Sequence, residues 1–349
     1  MRIATYNVEW FNSLFDDAGQ PLADDAPSGR YGISRFRQLE ALGIVFTALD
    51  ADVVMVIEAP DHNGKRSTVT ALQAFAHAFD LRCKAAIMGF PNDTQQEIAL
   101  MFDPYVVDPR HDPRGEATGK KGSDADPRFD GVFRIDLDLD GTEDLVSFSK
   151  PPLELEVATM DGLVFRMIGA HLKSKAPHGA RGRDAVMRLA IANRRKQQAQ
   201  AVWLRRRVAY RLEQGDPLIL LGDLNDGPGL DEYEGLFGRS SVEVVMGEAG
   251  QGTPVEGCLF DPHARQAVQR RPGVASPTTA RFYIQHQDRY LEALLDYIMI
   301  SPDLMDRQPR WRIWHPFHDP ACWKVPELRD ALIDASDHYP VTLDIDLAS

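Results

Sequence analysis

Leu218-Ile219-Leu220-Leu221-Gly222-Asp223-Leu224-Asn225 decides the reading of this chain. Four apolar residues run without alternation, and the polarity then changes at a glycine. A strand that is apolar on both faces predicts a central position, with other layers covering it from either side. Its last residues are a carboxylate and an amide, at the strand end where α/β proteins assemble their sites. Val53-Val54-Met55-Val56-Ile57 has the same uninterrupted character and also ends in an acid, Glu58.

Further strands are expected over Arg2 to Val8, Ile98 to Phe102, Leu153 to Ala158, Val164 to Ala170, Tyr297 to Ile300 and Val341 to Leu347, all β-branched or apolar runs bounded by turn residues. Leu153 to Val157 alternates, which predicts a half-exposed strand. Ser34 is placed to cap a helix through Leu49, and Ser67 one through Phe79. A third helix is expected from about Ala185 to Leu212, with Ala190, Ala201, Leu204, Val208 and Leu212 on one face. Arg188, Arg195, Lys196, Arg206 and Arg207 are expected largely off that face. Interleaved strands and helices predict a layered α/β protein. With no evident linker, the expectation is a single domain over 1–349. Two stretches rich in Pro, Gly and polar residues, near 103–131 and 247–280, are expected to be insertions.

The chain has 349 residues, 44% of them apolar and 26% charged, so it suits a large core and excludes a disordered protein. Cys83, Cys258 and Cys322 lie far apart, without the close pairing of a zinc or redox motif. An odd count argues against a disulfide framework. With no charged segment and apolar run ahead of the first strand, a reducing, cytoplasmic setting is expected. No apolar run reaches the roughly 20 residues of a spanning helix, so no membrane span is expected. The net charge of −13 opposes loose binding to polyanions, although bound metal would change the field around clustered acids. A monomer is expected.

Polar residues recur at strand ends: Asn7 and Glu9, Glu58, His171, Asp223 and Asn225, Asp296, then Asp337 and His338. One such residue is ordinary, because strands must end in something polar. Nine, confined to carboxylate, amide and imidazole, point to chemistry. Glu9, Glu58 and Asp337 offer hard oxygen ligands, suited to Mg²⁺, Mn²⁺ or Ca²⁺. Such an ion would polarise a phosphoryl oxygen while a carboxylate or histidine readies water for attack.

Thr5-Tyr6-Asn7-Val8-Glu9-Trp10, Val56-Ile57-Glu58, His171-Leu172-Lys173-Ser174, Gly222-Asp223-Leu224-Asn225, Leu295-Asp296-Tyr297-Ile298 and Ser336-Asp337-His338-Tyr339-Pro340 occur in that order across nearly the whole chain. Each motif alone is weak. All six in sequence resemble the endonuclease/exonuclease/phosphatase superfamily, and in particular its bacterial nuclease-like members. The resemblance implies a four-layer α/β sandwich, two mixed sheets flanked by helices, with the site at the sheet edges. It implies Mg²⁺ or Mn²⁺ as cofactor, Glu58 as principal ligand, and Asn7, Glu9 and Asp337 completing the metal and water shell. By the same resemblance Asp223 orients or activates water, Asn225 holds the phosphate or the nucleophile, and His171 donates to a phosphoryl oxygen. His338, oriented by Asp296, binds the scissile phosphate. Ile57 and Glu9 stand where many members have Gln and Asp, which leaves one metal or two as open alternatives.

Lys150-Pro151-Pro152-Leu153 resembles an Arg-Pro-Pro-Leu element of bacterial nuclease-like members, which makes Lys150 a candidate phosphate contact beside Lys173. A plain lysine at a loop-to-strand junction is the other reading. Arg181 to Arg211 holds ten Lys or Arg residues against one acid, Asp184. This segment is either a solvated helix face or a phosphate-backbone track, with Arg181, Arg183 and Arg188 best placed to reach substrate. The leading expectation is a metal-dependent phosphodiesterase acting on nucleic acid. The alternatives are an enzyme for a small phosphate ester, a phosphoinositide-like compound or a phospholipid head group, and a non-catalytic binding module.

Overall fold

Side chains of the central strands alternate between hydrophobic layers, which is why their sequences do not alternate. In the computed structural model, which describes all residues except 138–142, 178, 231–233, 249–256, 270–274, 285–287 and 349, two sheets face each other. The first contains β1 (Arg2–Asn7), β2 (Val53–Pro60), β3 (Ala85–Met88), β4 (Gln96–Phe102), β14 (Arg310–Ile313) and β15 (Val341–Asp344), in the order β14-β15-β1-β2-β4-β3. The second contains β5 (Val107–His111), β8 (Leu153–Thr159), β9 (Val164–His171), β10 (Leu218–Asp223) and β13 (Asp296–Ile300), in the order β13-β10-β9-β8-β5. Both are mixed: β1 runs parallel to β2 and β9 parallel to β10, and the other pairings are antiparallel. Two hairpins stand apart, β6 (Phe133–Ile135) with β7 (Asp144–Val146), and β11 (Ala280–Ile284) with β12 (Arg289–Ala293).

Val53, Met55 and Ile57 point between the sheets, against Met167, Ile219, Leu221 and Ile298. Val54 and Val56 point the other way, onto helices α1 (Arg35–Leu49) and α2 (Thr68–Ala78) and the helix Pro326–Ala335. On the far side, Ile168, Leu218, Leu220 and Met299 meet Trp203, Leu204 and Val208 of α3 (Arg183–Glu213). The result is the four-layer sandwich expected from the sequence. Each fully buried side chain of this kind contributes about 1.5–3 kcal/mol relative to exposure. The helix starts also agree: the Ser34 hydroxyl accepts from Arg37 N–H and that of Ser67 from Thr70 N–H, satisfying N–H groups that have no partner within the helix.

Two expectations need correction. Leu153–Thr159 is not half exposed, because Glu154 is buried and accepts from the Arg207 guanidinium. The alternation was read as solvent when it marked a buried ion pair. Arg207 is correspondingly not on a solvated face of α3: it also donates to Pro127 O at 3.0 Å and lies over the Phe129 ring at 4.4 Å. Within the stretch 103–131 lie the edge strand β5 and a loop that packs Phe129 against Trp203 of α3. Of the stretch 247–280, residues 249–256 and 270–274 lie outside the described residues, and the part between them carries the helix Pro262–Gln269. Cys83, Cys258 and Cys322 are buried and form no disulfide among the described residues. No helix among them is long and apolar enough to cross a membrane.

Candidate active site

Strand register brings the polar strand ends to one edge of the sandwich. Asn7 pairs with Ile57 across β1 and β2, while Asp223 lies opposite both His171 and Asp296 in the second sheet. Gly222 makes this possible, with φ +132° and no room for a Cβ, which would sit 2.1 Å from Ala170 O. Glu58 and Asn225 adopt positive φ of 63° and 50°, and Glu58 occupies a register shift between Ile57 and Ala59. Bulges of this kind re-aim a side chain, and left-handed backbone at non-glycine residues clusters at functional sites.

These residues line a cleft of about 670 Å³. Its walls include Asn7, Glu9, Glu58, Lys150, His171, Lys173, Asp223, Asn225, Asp337 and His338. Asp296 stands behind His338, its Oδ2 2.8 Å from His338 Nδ1. Arg181, Arg183 and Arg188 are exposed at the start of α3 and are not part of the cleft wall.

Asp223 is almost fully buried and accepts from Asn7 Nδ2 at 3.0 Å, Asn225 N at 2.7 Å and Asn225 Nδ2 at 3.2 Å. Burial pushes its carboxyl up to about 7 against the pull of His338. The two histidines are driven in opposite directions. Burial, then Lys150 and His338, hold His171 well below the ordinary imidazole value. Burial would lower His338 as well, but Asp296, Asp223 and Asp337 outweigh it and hold that ring well above its ordinary value. Lys150 Nζ lies 3.3 Å from His171 Nδ1 and donates to it, so the neutral ring carries its proton on Nε2, facing Asp223 Oδ2 at 3.6 Å. With Nδ1 of His338 committed to Asp296, its Nε2 is the nitrogen left for a ligand.

The acids Glu58, Glu9 and Asp337 offer hard oxygens to the same cleft. Burial raises Glu58, and burial followed by Asp337 pushes Glu9 up to about 7. Crowded carboxylates that the protein alone disfavours in ionised form are what a divalent cation neutralises. Asn7 Oδ1 is buried with no hydrogen-bond partner among the described residues, a further oxygen on the same wall. Glu58, Glu9, Asp337 and Asn7 would hold such an ion. Asp223, Asp296 and His338 bring their ligand atoms within 4.8 Å of one another in the same cleft region; the other grouping that does so, Glu292, His315 and His318, does not suit an ion. Its imidazole rings stack 3.9 Å apart and 8° from parallel, so no ion can lie in both ring planes, and His315 Nδ1 already accepts two backbone N–H groups.

Sequence reasoning missed several neighbours. Gln96 donates to Glu58 Oε2, and Arg30 donates to Glu9 Oε2 and to Ile333 O. Ser336 donates to Asn7 O at 2.8 Å and accepts from Glu9 N and His338 N at 3.2 Å, tying the first and last motifs together. Ser336 lay inside a quoted motif and Gln96 at a strand start. Arg30, in a loop, gave no signal. The apolar wall of Leu230, Phe282, Leu291 and Leu295 opposite the acids also went unread.

A 3′-5′ exonuclease from Neisseria meningitidis shares the architecture with a TM-score of 0.51 at 15% identity, over 99% of this chain and 100% of that one. A Neisseria 3′ phosphatase solved with a product DNA hairpin gives a TM-score of 0.50 at 15% identity, over 99% of each chain. An AP endonuclease from Archaeoglobus fulgidus gives 0.47 at 13% identity, over 99% of this chain and 100% of that one. At these identities the likeness to the two Neisseria structures shows a shared fold. No curated protein sequence matches the chain. The model of the Endonuclease/Exonuclease/phosphatase family matches residues 4–338, with every residue of the cleft described above inside that span, and the chain belongs to this family.

Proposed function

We propose that the protein is a divalent-metal-dependent phosphodiesterase with nucleic acid as its substrate. The observation that carries this reading is the meeting, in one cleft, of hard-oxygen acids with His338, held by Asp296 at 2.8 Å, and a buried Asp223 that accepts from Asn7 and Asn225. When bound among Glu58, Glu9, Asp337 and Asn7, a divalent ion supplies charge to polarise a phosphoryl oxygen and offset charge on the leaving group. The chain's own groups do the rest. Lys150 and Lys173 supply positive charge in the cleft, where a phosphate would lie. His338 Nε2–H meets a phosphoryl oxygen, and Asp296 keeps that ring charged and aimed. Asp223 accepts a proton from water, its carboxyl near the operating pH as general-base catalysis favours. Asn225, bonded to Asp223 and Leu172 O, holds the water or the phosphate in line. One of the matched structures, the Neisseria 3′ phosphatase, was solved with a product DNA hairpin, and the exposed arginines at the start of α3 give a longer polyanion a place to lie.

A second reading, a small phosphate ester, is favoured by a specific observation: Arg181, Arg183 and Arg188 lie outside the cleft wall, which draws its positive charge from lysines at 150, 173 and 175. The test is a panel of plasmid, single-stranded and abasic DNA, RNA, and small phosphate mono- and diesters, with chelator and with Mg²⁺ or Mn²⁺. Activity lost to chelation and restored by either ion is expected, with Glu58→Gln shifting the metal titration. Full turnover after exhaustive chelation would end the metal reading, and turnover of small esters alone would select the second substrate.

A further inference from the structure

Asp296 and His338 are 42 residues apart, yet their side chains meet at 2.8 Å. Such a contact holds only if both backbones are fixed, and one residue touches both. Thr279 is fully buried just ahead of β11. Its hydroxyl oxygen accepts the N–H of Leu295 and of Asp296, each at 3.0 Å. Its N–H donates to Ala293 O at 2.8 Å, and its carbonyl accepts Tyr339 N–H at 2.6 Å. The splint continues past it: Ala280 bridges His338, Arg281 N–H donates to Asp337 O at 2.8 Å, and the Phe282 ring meets His338 edge-on at 5.5 Å.

We propose that Thr279 is a positioning residue for phosphoester hydrolysis, locking the Asp296 arm against the His338 arm so that the two side chains stay in register. The physical reason is the hydroxyl. A valine would fill the same volume and keep every backbone bond, but it would leave two buried N–H groups without an acceptor, and the arm would shift to find one. Misplacement at this distance acts on transition-state alignment more than on substrate capture. The kinetic part of this inference rests on the hydrolase reading above, and the geometric part does not.

The experiment compares Thr279→Val and Thr279→Ser in the full chain by two readouts. One is the proton NMR resonance of His338 Nδ1–H, expected downfield of the amide region and identified by its loss in His338→Ala. The other is steady-state hydrolysis of a generic aryl phosphodiester with Mg²⁺. Thr279→Val should move or broaden the resonance and lower kcat by about 10- to 100-fold with KM within about twofold, whereas Thr279→Ser keeps both close to wild type. On a His338→Ala background Thr279→Val should cost less than about twofold, because the alignment it protects is already gone. Should the valine variant not fold, Thr279→Cys keeps the volume with a weakly accepting sulfur and should show the same changes in smaller degree. An unchanged resonance and kcat in Thr279→Val, serine no better than valine, or losses that multiply with His338→Ala would each overturn the proposal. If the wild type hydrolyses no phosphoester, the hydrolase reading fails while the resonance still decides whether Thr279 holds the pair.

Discussion

Asp223 is a carboxylate held where the folded protein disfavours its charge, and the four-layer core alone has no need of one there. Nothing about packing requires it: Asn7 and Asn225 donate to its oxygens, and an amide of the same shape could still accept one of those bonds. Asp223→Asn is therefore expected to leave the melting temperature at or above that of wild type while turnover falls by about 10² to 10⁴-fold, the usual size of a general-base contribution. Rate and melting curve should be measured on the same preparation. More than about a tenth of wild-type turnover would remove the general-base role. The sequence made this residue legible because an acid directly after an unbroken apolar strand has few structural uses. It could not show that Lys150 sits on His171, or that Gln96 and Arg30 reach Glu58 and Glu9, since those contacts join segments 21 to 38 residues apart.

At the level of elements, α3 carries a load that its charge pattern concealed. Arg194 is buried beside Asp226 at 3.5 Å, Arg207 is buried against Glu154, and Arg205 donates to Met246 O and Gly257 O. Read as a string, these arginines suggested a solvated or phosphate-facing stripe. In the fold they tether the helix to the second sheet and to the loop that wraps it, and the basic residues of α3 left exposed are Arg183 and Arg188 near its start and Arg206. Arg207→Met should cost about 3–5 kcal/mol in denaturant unfolding by stranding a buried Glu154, and Arg207→Met with Glu154→Leu should recover most of it. A double variant no more stable than the single one would show that Arg207 acts mainly through Pro127 and Phe129.

Glu97 offers a pH test at the same scale. It accepts from His62 N at 3.3 Å and Asn92 N at 3.4 Å, clasping two loops beside β4. Burial pushes its carboxyl up to about 7 from an ordinary 4.5 despite those donors. The folded state thus holds this proton more tightly than the unfolded chain, so its contribution to stability declines as pH rises from about 4.5 to about 7 and is level beyond. Glu97→Gln should match wild type below that window and exceed it above, by an amount on the order of 1–2 kcal/mol. A stability difference independent of pH would place the clasp's worth in its hydrogen bonds instead.

Across the whole molecule, the architecture explains why the site was easier to read than its substrate. Four layers require unbroken apolar strands, those strands announce themselves, and their polar ends must then collect at the sheet edges. The Trp203 cluster was not legible, because its residues pack through contacts distant in sequence. Recognition is built from such parts, and charge is the remaining guide. The protein carries −13, so any polyanion must be drawn by local charge against a repulsive background. The exposed candidates are Arg181, Arg183 and Arg188, directly after the His171-Leu172-Lys173-Ser174 segment that enters the cleft. If they contact backbone phosphates, each should add roughly one unit to the slope of log K against log salt, and replacing all three with glutamine should flatten that slope by about three. A small ester would engage the cleft residues alone, so the same variant should leave its KM and salt response nearly unchanged. Both substrates should therefore be followed across a salt series with wild type and the triple variant. A flat salt response for nucleic acid in the wild type, or equal effects of the substitutions on both substrates, would take these arginines out of substrate binding and leave Lys150 and Lys173 as the phosphate contacts.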